Sequence, residues 1–183
     1  MSIAESTTTT TWTIDSAHTG VEFSLKHLMI STVRGRFGAV SGTIVLDEAN
    51  PEASVVEAEI DVTSIDTRQE QRDAHLRSAE FFDVEKFPVL TFKSTRIEAL
   101  GGGRYNVVGD LTIRDVTREV VLETTDEGRG GDPWGGERAG FSATTRIDRR
   151  DFGLTWNQAL ETGGVVVGND IKITLEVEAV KAA

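Results

Sequence analysis

Cysteine is absent from the 183 residues. Without it there is no disulfide framework, no thiol nucleophile and no zinc knuckle, and nothing depends on an oxidising compartment. Long hydrophobic runs are missing too, so no segment reads as a membrane span. Residues 1–11 (MSIAESTTTTT) lack the basic flank and apolar run of a secretory leader, which points to a cytoplasmic protein. Basic charge is short: 19 Lys and Arg against 30 Asp and Glu leave a net charge of -11. Phosphate backbones are repelled on average, which argues against a nucleic-acid partner. An anionic leaflet is disfavoured for the same reason, unless a local basic patch around Arg34, Arg36 or Arg146, Arg149 and Arg150 overrides the mean. Catalytic signatures are also missing: no GxSxG, no phosphate loop ending in Lys-Ser/Thr, no HExxH.

What is present is alternation at period two, the mark of strands with one buried face. Val21, Phe23, Leu25 and His27 share a face against Glu22, Ser24 and Lys26. Val56, Ala58, Ile60 and Val62 repeat the pattern, as do Phe141, Ala143, Thr145 and Ile147. The clearest case is Ile171, Ile173, Leu175, Val177 and Ala179 near the C-terminus. With strands also expected around 35–46, 90–93, 105–113 and 119–124, about eight strands result. Turn residues bound them: DEANP at 47–51 and LGGG at 100–103 read as hairpin loops, DEGRGGDPWGG at 126–136 as a longer mobile loop. One segment resists. Residues 67–82 carry Thr67 and Glu70 at capping-box spacing and a weak helical stripe from Leu76 and Ala79 to Phe81 or Phe82. A short helix is expected there, with Arg68, Glu70, Arg72, Asp73 and Arg77 in solvent.

One-sided strands must turn their apolar faces towards one another. Long strands favour closure, because free edges are an aggregation hazard. The expectation is therefore an all-β domain, a closed antiparallel β-barrel of about eight strands with one helical insertion, over 12–183. Residues 1–11 should form a disordered tail. Eight strands leave room for side chains or one slender ligand.

The histidines are His18, His27 and His75. His27 falls on an apolar face, where it could hydrogen-bond a ligand's polar head or be satisfied by a neighbour at the rim. No tight set of three or four ligands points to a metal. Asp73 and His75, two apart on a helix, point to different sides. Trp156 and Asn157 could gate a barrel mouth. The run Asp148–Arg149–Arg150–Asp151 reads as a turn with local ion pairs.

Ordered motifs then carry a resemblance. Trp12-x-Ile14-Asp15-x-x-His18 is followed by Phe23 and His27, then Arg72-Asp73-x-His75-Leu76-x-Ser78, Phe81-Phe82-Asp83, Phe87-Pro88 and Phe92-x-Ser94. Gly109-Asp110-Leu111-Thr112-Ile113-Arg114 precedes Val116-Thr117, and Arg150-Asp151-Phe152-Gly153 precedes the last strand. From Trp12 to Val180 this set resembles the YceI-like family. Thr19 stands where that family usually has Ser, and Asp115 where it usually has Gly.

The resemblance implies a lipocalin-like barrel whose hydrophobic tunnel binds polyisoprenoid chains or isoprenoid quinones without a covalent cofactor, and possession of a homodimeric state common among relatives. On that reading Phe23, Leu25, Phe37, Phe92, Leu111 and Phe141 form the ligand-binding wall, with His18 and His27 nearest a polar head. No residue is assigned as catalytic or metal-binding. The partner is an apolar lipid, with transient membrane contact during exchange. Two alternatives stand beside the carrier: a solid-core stress-response or interaction module, and an enzyme acting on an apolar substrate through His27 as general base.

Overall fold

A computed structural model describes residues 9–160 and 164–182. Its strands are β1 (Thr9–Ile14), β2 (Gly20–His27), β3 (Ser31–Phe37), β4 (Val40–Asp47), β5 (Val55–Asp61), β6 (Ile65–Asp66) and β7 (Val89–Gly101). The C-terminal half adds β8 (Arg104–Ile113), β9 (Val116–Gly131), β10 (Glu137–Asp148) and β11 (Asp170–Lys181). One α-helix, α1 (Glu70–Arg77), lies between β6 and β7. All pairings are antiparallel. The order β1-β4-β5-β7-β8-β9-β10-β11 returns to β1, so eight strands close into a barrel.

The remaining three strands extend the ring's first three staves. β11 pairs through Lys172–Glu176 with β2 and through Ala179–Lys181 with β1, so β1 and β2 are one stave broken in the middle. β3 and β4 form the second broken stave, β5 and β6 the third. The breaks lie side by side and are stitched together: Ser16 Oγ donates to the Gly38 carbonyl at 3.4 Å, and the Ala39 N–H donates to Ser64 Oγ at 3.2 Å. At the first break the Thr19 hydroxyl donates to the Glu178 carbonyl at 3.3 Å and accepts from its N–H at 3.2 Å. A Ser hydroxyl could do the same, which explains why Thr is tolerated here.

Inward and outward faces follow the alternation. Trp12, Ile14, Ile44, Leu90, Ile113 and Val120 are buried, while Glu57, Glu59, Lys93 and Glu119 are exposed on the outside. Register shifts preserve this arrangement where simple alternation would fail. A bulge between Ser94 and Arg96 returns Ile97 to the interior opposite Val107 and leaves Arg96 outside, paired with Glu98 at 3.0 Å.

Several local expectations are corrected. Thr9, Thr10 and Thr11 are not tail: they pair with Asp47, Leu46 and Val45, because β-branched Thr suits an extended edge whose main-chain bonds β4 supplies; residues 1–8 of the expected tail lie outside the described residues. The expected loop at 126–136 is mostly strand, for β9 runs to Gly131 and only residues 132–136 turn. Gly128, Gly130 and Gly131, read as loop markers, sit in ladder positions. The helix is shorter than 67–82, and Gln69, not Thr67, caps it by accepting from the Arg72 N–H at 2.5 Å. Thr67 is drawn away to Asp73, which is buried and not solvent-facing. At the β8–β9 turn the left-handed residue is Arg114 (φ 56), so Asp115 escapes the strain that Gly would relieve.

Candidate functional site

A cavity of about 930 Å³ runs through the barrel. Along its length the walls are aliphatic and aromatic, contributed by the inward faces of every ring strand. Seven of the side chains singled out from sequence line it: Phe23, Leu25, His27, Phe37, Phe92, Leu111 and Phe141. His18 is not among them. Its side chain is 62% exposed on the outer surface, where Nδ1 meets Asp15 Oδ2 at 2.7 Å and Glu178 Oε2 at 3.2 Å. It stands at the stave break, where the chain leaves the ladder for a 3-10 turn (Ser16–His18), so alternation no longer tells its direction.

Two glycines keep the wall open. The Phe23 ring lies over Gly35, directly opposite on β3, and the Phe92 ring lies over Gly109. A Cβ on Gly35 would come within 2.3 Å of Phe23 Cζ, and one on Gly109 within 2.5 Å of Phe92 Cζ. Each ring thus lies flat along the wall, using space that any side chain would take. Phe23 and Phe37 then meet at 5.6 Å between centroids, and Phe37 meets Phe82 edge-on at 5.9 Å.

One end of the cavity is formed by α1, the end of β2 and the segment after β10. Gln71, Arg72, His75 and Leu76 of α1 face it. His75 packs edge-on against Phe81 and Trp156, with centroids 5.0 and 4.7 Å apart, and also pairs with Glu80. Trp156 lines the cavity at this end, the place expected of a gate. The helix is anchored by a buried knot. Thr67 Oγ1 donates to Asp73 Oδ1 at 2.5 Å, the Thr67 N–H donates to the same oxygen at 2.9 Å, and Arg72 Nε donates to Thr67 Oγ1 at 2.8 Å. Arg149, buried instead of exposed in a turn, fastens the neighbouring segment. Its guanidinium donates to the carbonyls of Gly168, Leu154, Trp156 and Val167 at 2.9, 2.6, 2.9 and 3.3 Å. Burial pushes its pKa below the usual guanidinium value, while the four carbonyl dipoles solvate the charge.

The other end is lined by a second arginine. An extra residue, Glu127, in β9 shifts the register, so Arg129 lies opposite inward-facing Ala139. The Arg129 guanidinium sits over the rings of Trp12 and Phe141, 5.5 and 5.3 Å from their centroids, and pairs with Asp126 at 2.8 Å. Outside the barrel, Asp15, His18 and Glu178 could surround a cation, but Arg138 Nη1 already lies 2.8 Å from Asp15 and 3.1 Å from Glu178. Hydrogen bonds from His18 and then Arg138 hold the Asp15 carboxyl at a pKa of about 2.

Sequence reasoning missed His75, Arg72, Arg129 and Arg149. The first two carried a readable signal. Gln71 and His75 are four apart, and Arg72 and Leu76 likewise, so one helical face is marked. The inward turn of Arg129 and the burial of Arg149 had no local signal.

The YceI-like domain model matches residues 12–179. The chain belongs to the YceI-like family. A UPF0312 protein of Vibrio parahaemolyticus is 44% identical over 138 residues, spanning 75% of this chain and 73% of that relative. A UPF0312 protein of Yersinia enterocolitica is 41% identical over 168 residues, 92% of this chain and 84% of the relative. Among solved structures, BcnA of Burkholderia cenocepacia superposes with a TM-score of 0.79 at 25% identity, covering 90% of this chain and 98% of BcnA. The Campylobacter jejuni YCEI protein gives 0.72 at 32%, covering 86% and 90%. A polyisoprenoid-binding domain from Saccharophagus degradans, 14% identical, shares the fold with a TM-score of 0.71 over 93% of this chain and 98% of that domain. This YceI-like barrel is thus a closed eight-stranded lipocalin-like fold. No helix among the described residues is long and apolar enough to cross a membrane.

Proposed function

We propose that this YceI-like barrel binds and carries a long-chain apolar molecule, a polyisoprenoid or isoprenoid quinone tail, without chemically changing it. The observation that carries this reading is the 930 Å³ apolar-walled cavity. At about 30 Å³ per carbon-sized group, the share of one water in the liquid, it holds roughly thirty carbons. Each methylene moved from water contributes ~0.8 kcal/mol, so ten give about 8 kcal/mol before the costs of ordering. Micromolar binding or tighter follows, each methylene that the cavity can bury changing affinity by only a few-fold. Phe23, Leu25, Phe37, Phe92, Leu111 and Phe141 are the wall in this reading, and His27 the contact nearest the head. His18 serves outside as a partner of Asp15.

A solid-core module does not fit a cavity of this size. For an enzyme, His27 would need a carboxylate or hydroxyl partner, and the carboxylates on the cavity lining, Asp47, Glu48 and Asp126, belong to the end opposite His27. Residence in the cytoplasm, a homodimeric state and transient membrane contact belong to the same proposal; fractionation, light scattering and vesicle binding test them.

The decisive experiment is native mass spectrometry, with solvent extraction, of protein purified from cells. Wild type should carry an extractable apolar molecule, and folded Leu111→Asp or Phe92→Asp should lose it. An empty wild-type barrel overturns the carrier reading. A folded Leu111→Asp with its load intact overturns the wall assignment.

A further inference from the structure

The turn joining β2 to β3 is built from Leu28, Met29 and Ile30. Met29 is 56% and Ile30 82% exposed. Leu28 and Met29 both hold left-handed backbone conformations, φ 52 and 62, which favour Gly or Asn and not bulky apolar residues. Local folding therefore does not account for these side chains. Just beneath the tip, Leu25, His27 and Val33 line the cavity.

The outer faces of the adjoining strands are basic. Across β10, β11, β2 and β3, Arg146 lies opposite Lys172, Lys172 opposite Ser24, and Ser24 opposite Arg34. Lys26 and Arg36 flank this row on β2 and β3. The acids nearby are Asp170, paired with Arg146 at 2.8 Å, Asp148 opposite Asp170 and paired with Arg150, Glu22 opposite Arg36, and Asp66, also opposite Arg36 on β6. Among the described residues Arg34, Arg36 and Lys172 take part in no ion pair. At the opposite end the exposed charges include Glu48, Glu52, Glu127 and Glu137, together with Arg104 and Lys181. A chain of net charge -11 thus places unpaired Arg34 and Lys172 close to its exposed aliphatic tip, with Arg36 further along β3 towards the stave break.

From this juxtaposition we infer that the β2–β3 end docks on an anionic lipid bilayer, with Met29 and Ile30 entering the headgroup region and Arg34 and Lys172 facing the lipid phosphates. Two aliphatic side chains are far short of the roughly 800 Å² per partner of a stable protein interface. They suit shallow insertion assisted by cations, an attraction that salt weakens. The inference rests on the carrier reading, because the docked end is where the cavity wall reaches the surface and a cargo would cross.

The test is flotation with vesicles of phosphatidylcholine, with and without phosphatidylglycerol, at low and high salt. Wild type should bind only the phosphatidylglycerol vesicles and release at high salt. Arg34→Ala with Lys172→Ala should weaken binding about ten-fold or more, as expected for two surface cations. Met29→Ser with Ile30→Ser should reduce it comparably, while Trp134→Ser, altering a side chain 82% exposed at the opposite end, should leave it unchanged. Equal binding to both vesicle types, or loss with Trp134→Ser alone, overturns the inference. Native mass spectrometry of the same variants separates the two claims: variants that keep their load but not their vesicles locate the defect in docking. Vesicle binding by an empty wild-type barrel leaves docking standing while the carrier reading fails.

Discussion

Arg149 donates from Nη1 to the Leu154 carbonyl at 2.6 Å, tying the end of β10 to the segment that closes the cavity near Trp156. Four carbonyls accept from this one guanidinium, and of them Val167 has a second donor in Asn157 Nδ2 at 2.7 Å. Arg149→Met should leave the other three unsatisfied and lower stability by about 3 kcal/mol, read from the urea midpoint. Arg149→Lys keeps the charge, but one ammonium cannot span the four acceptors, so it should restore less than half of the loss. A midpoint unchanged in Arg149→Met would show that apolar contacts alone hold the segment.

Gly35→Ala should shrink the cargo before it harms the fold. The new methyl meets the far end of the Phe23 ring, whose free direction is into the cavity, and the Thr67 methyl, which the bonds to Asp73 and Arg72 hold in place. Gly109→Ala also meets the Lys93 carbonyl at 2.6 Å, so its strand must shift. The expected costs are roughly 1 kcal/mol for Gly35→Ala and about 3 for Gly109→Ala, within the range of overpacked cores. Extracted tails should be shorter in both. Unaltered chain lengths in folded Gly35→Ala would place the cargo away from Phe23.

Alternation made the barrel legible, since inward runs such as Val56, Ala58 and Ile60 had to meet others like themselves. The same signal marked Phe23, Phe92 and Phe141 as wall, though not that glycines across the sheet give the first two their places. It failed where the backbone leaves period two. His18 sits in a stave break, and Arg129 points inward only because Glu127 is an extra residue in β9. Asp73 and Arg149 looked like surface charges because their partners, Thr67 and the carbonyls of 154–168, are chosen by the fold and not by spacing.

Asp15 gives the acid limb of stability a testable part. Its carboxyl is held at about 2 against an ordinary 3.8, first by the hydrogen bond from His18 and then by that from Arg138. A depressed folded-state pKa means the stabilisation is complete above about 4 and fades as pH falls towards 2. Between those values wild type should lose more thermal stability than Asp15→Asn, which lacks the titrating group. Parallel Tm curves for the two proteins would assign the acid limb to other carboxylates. The effect should be modest, because the side chain is partly exposed and solvent screens the pair.

Arg129 decides whether the cavity is a sack or a tube. Its guanidinium lies over Trp12 and Phe141 and is held by Asp126, so a cation lying on rings lines one end of the cavity. Arg129→Ala removes two cation–π contacts, each worth about 0.5–1 kcal/mol, and should cost roughly 1–2 kcal/mol of stability. Its larger effect should be on cargo: with the guanidinium gone, a tail should thread past Phe141 and leave by the acidic end. Native mass spectra of Arg129→Ala should therefore show a distribution displaced towards longer chains, opposite in sign to Gly35→Ala. The double variant discriminates further. If both residues act on one continuous channel, narrowing at Phe23 should cancel the gain from opening at Arg129. If the two ends hold separate volumes, the Arg129→Ala shift should persist undiminished. A distribution identical to wild type in Arg129→Ala alone would place the end of the bound tail short of Phe141.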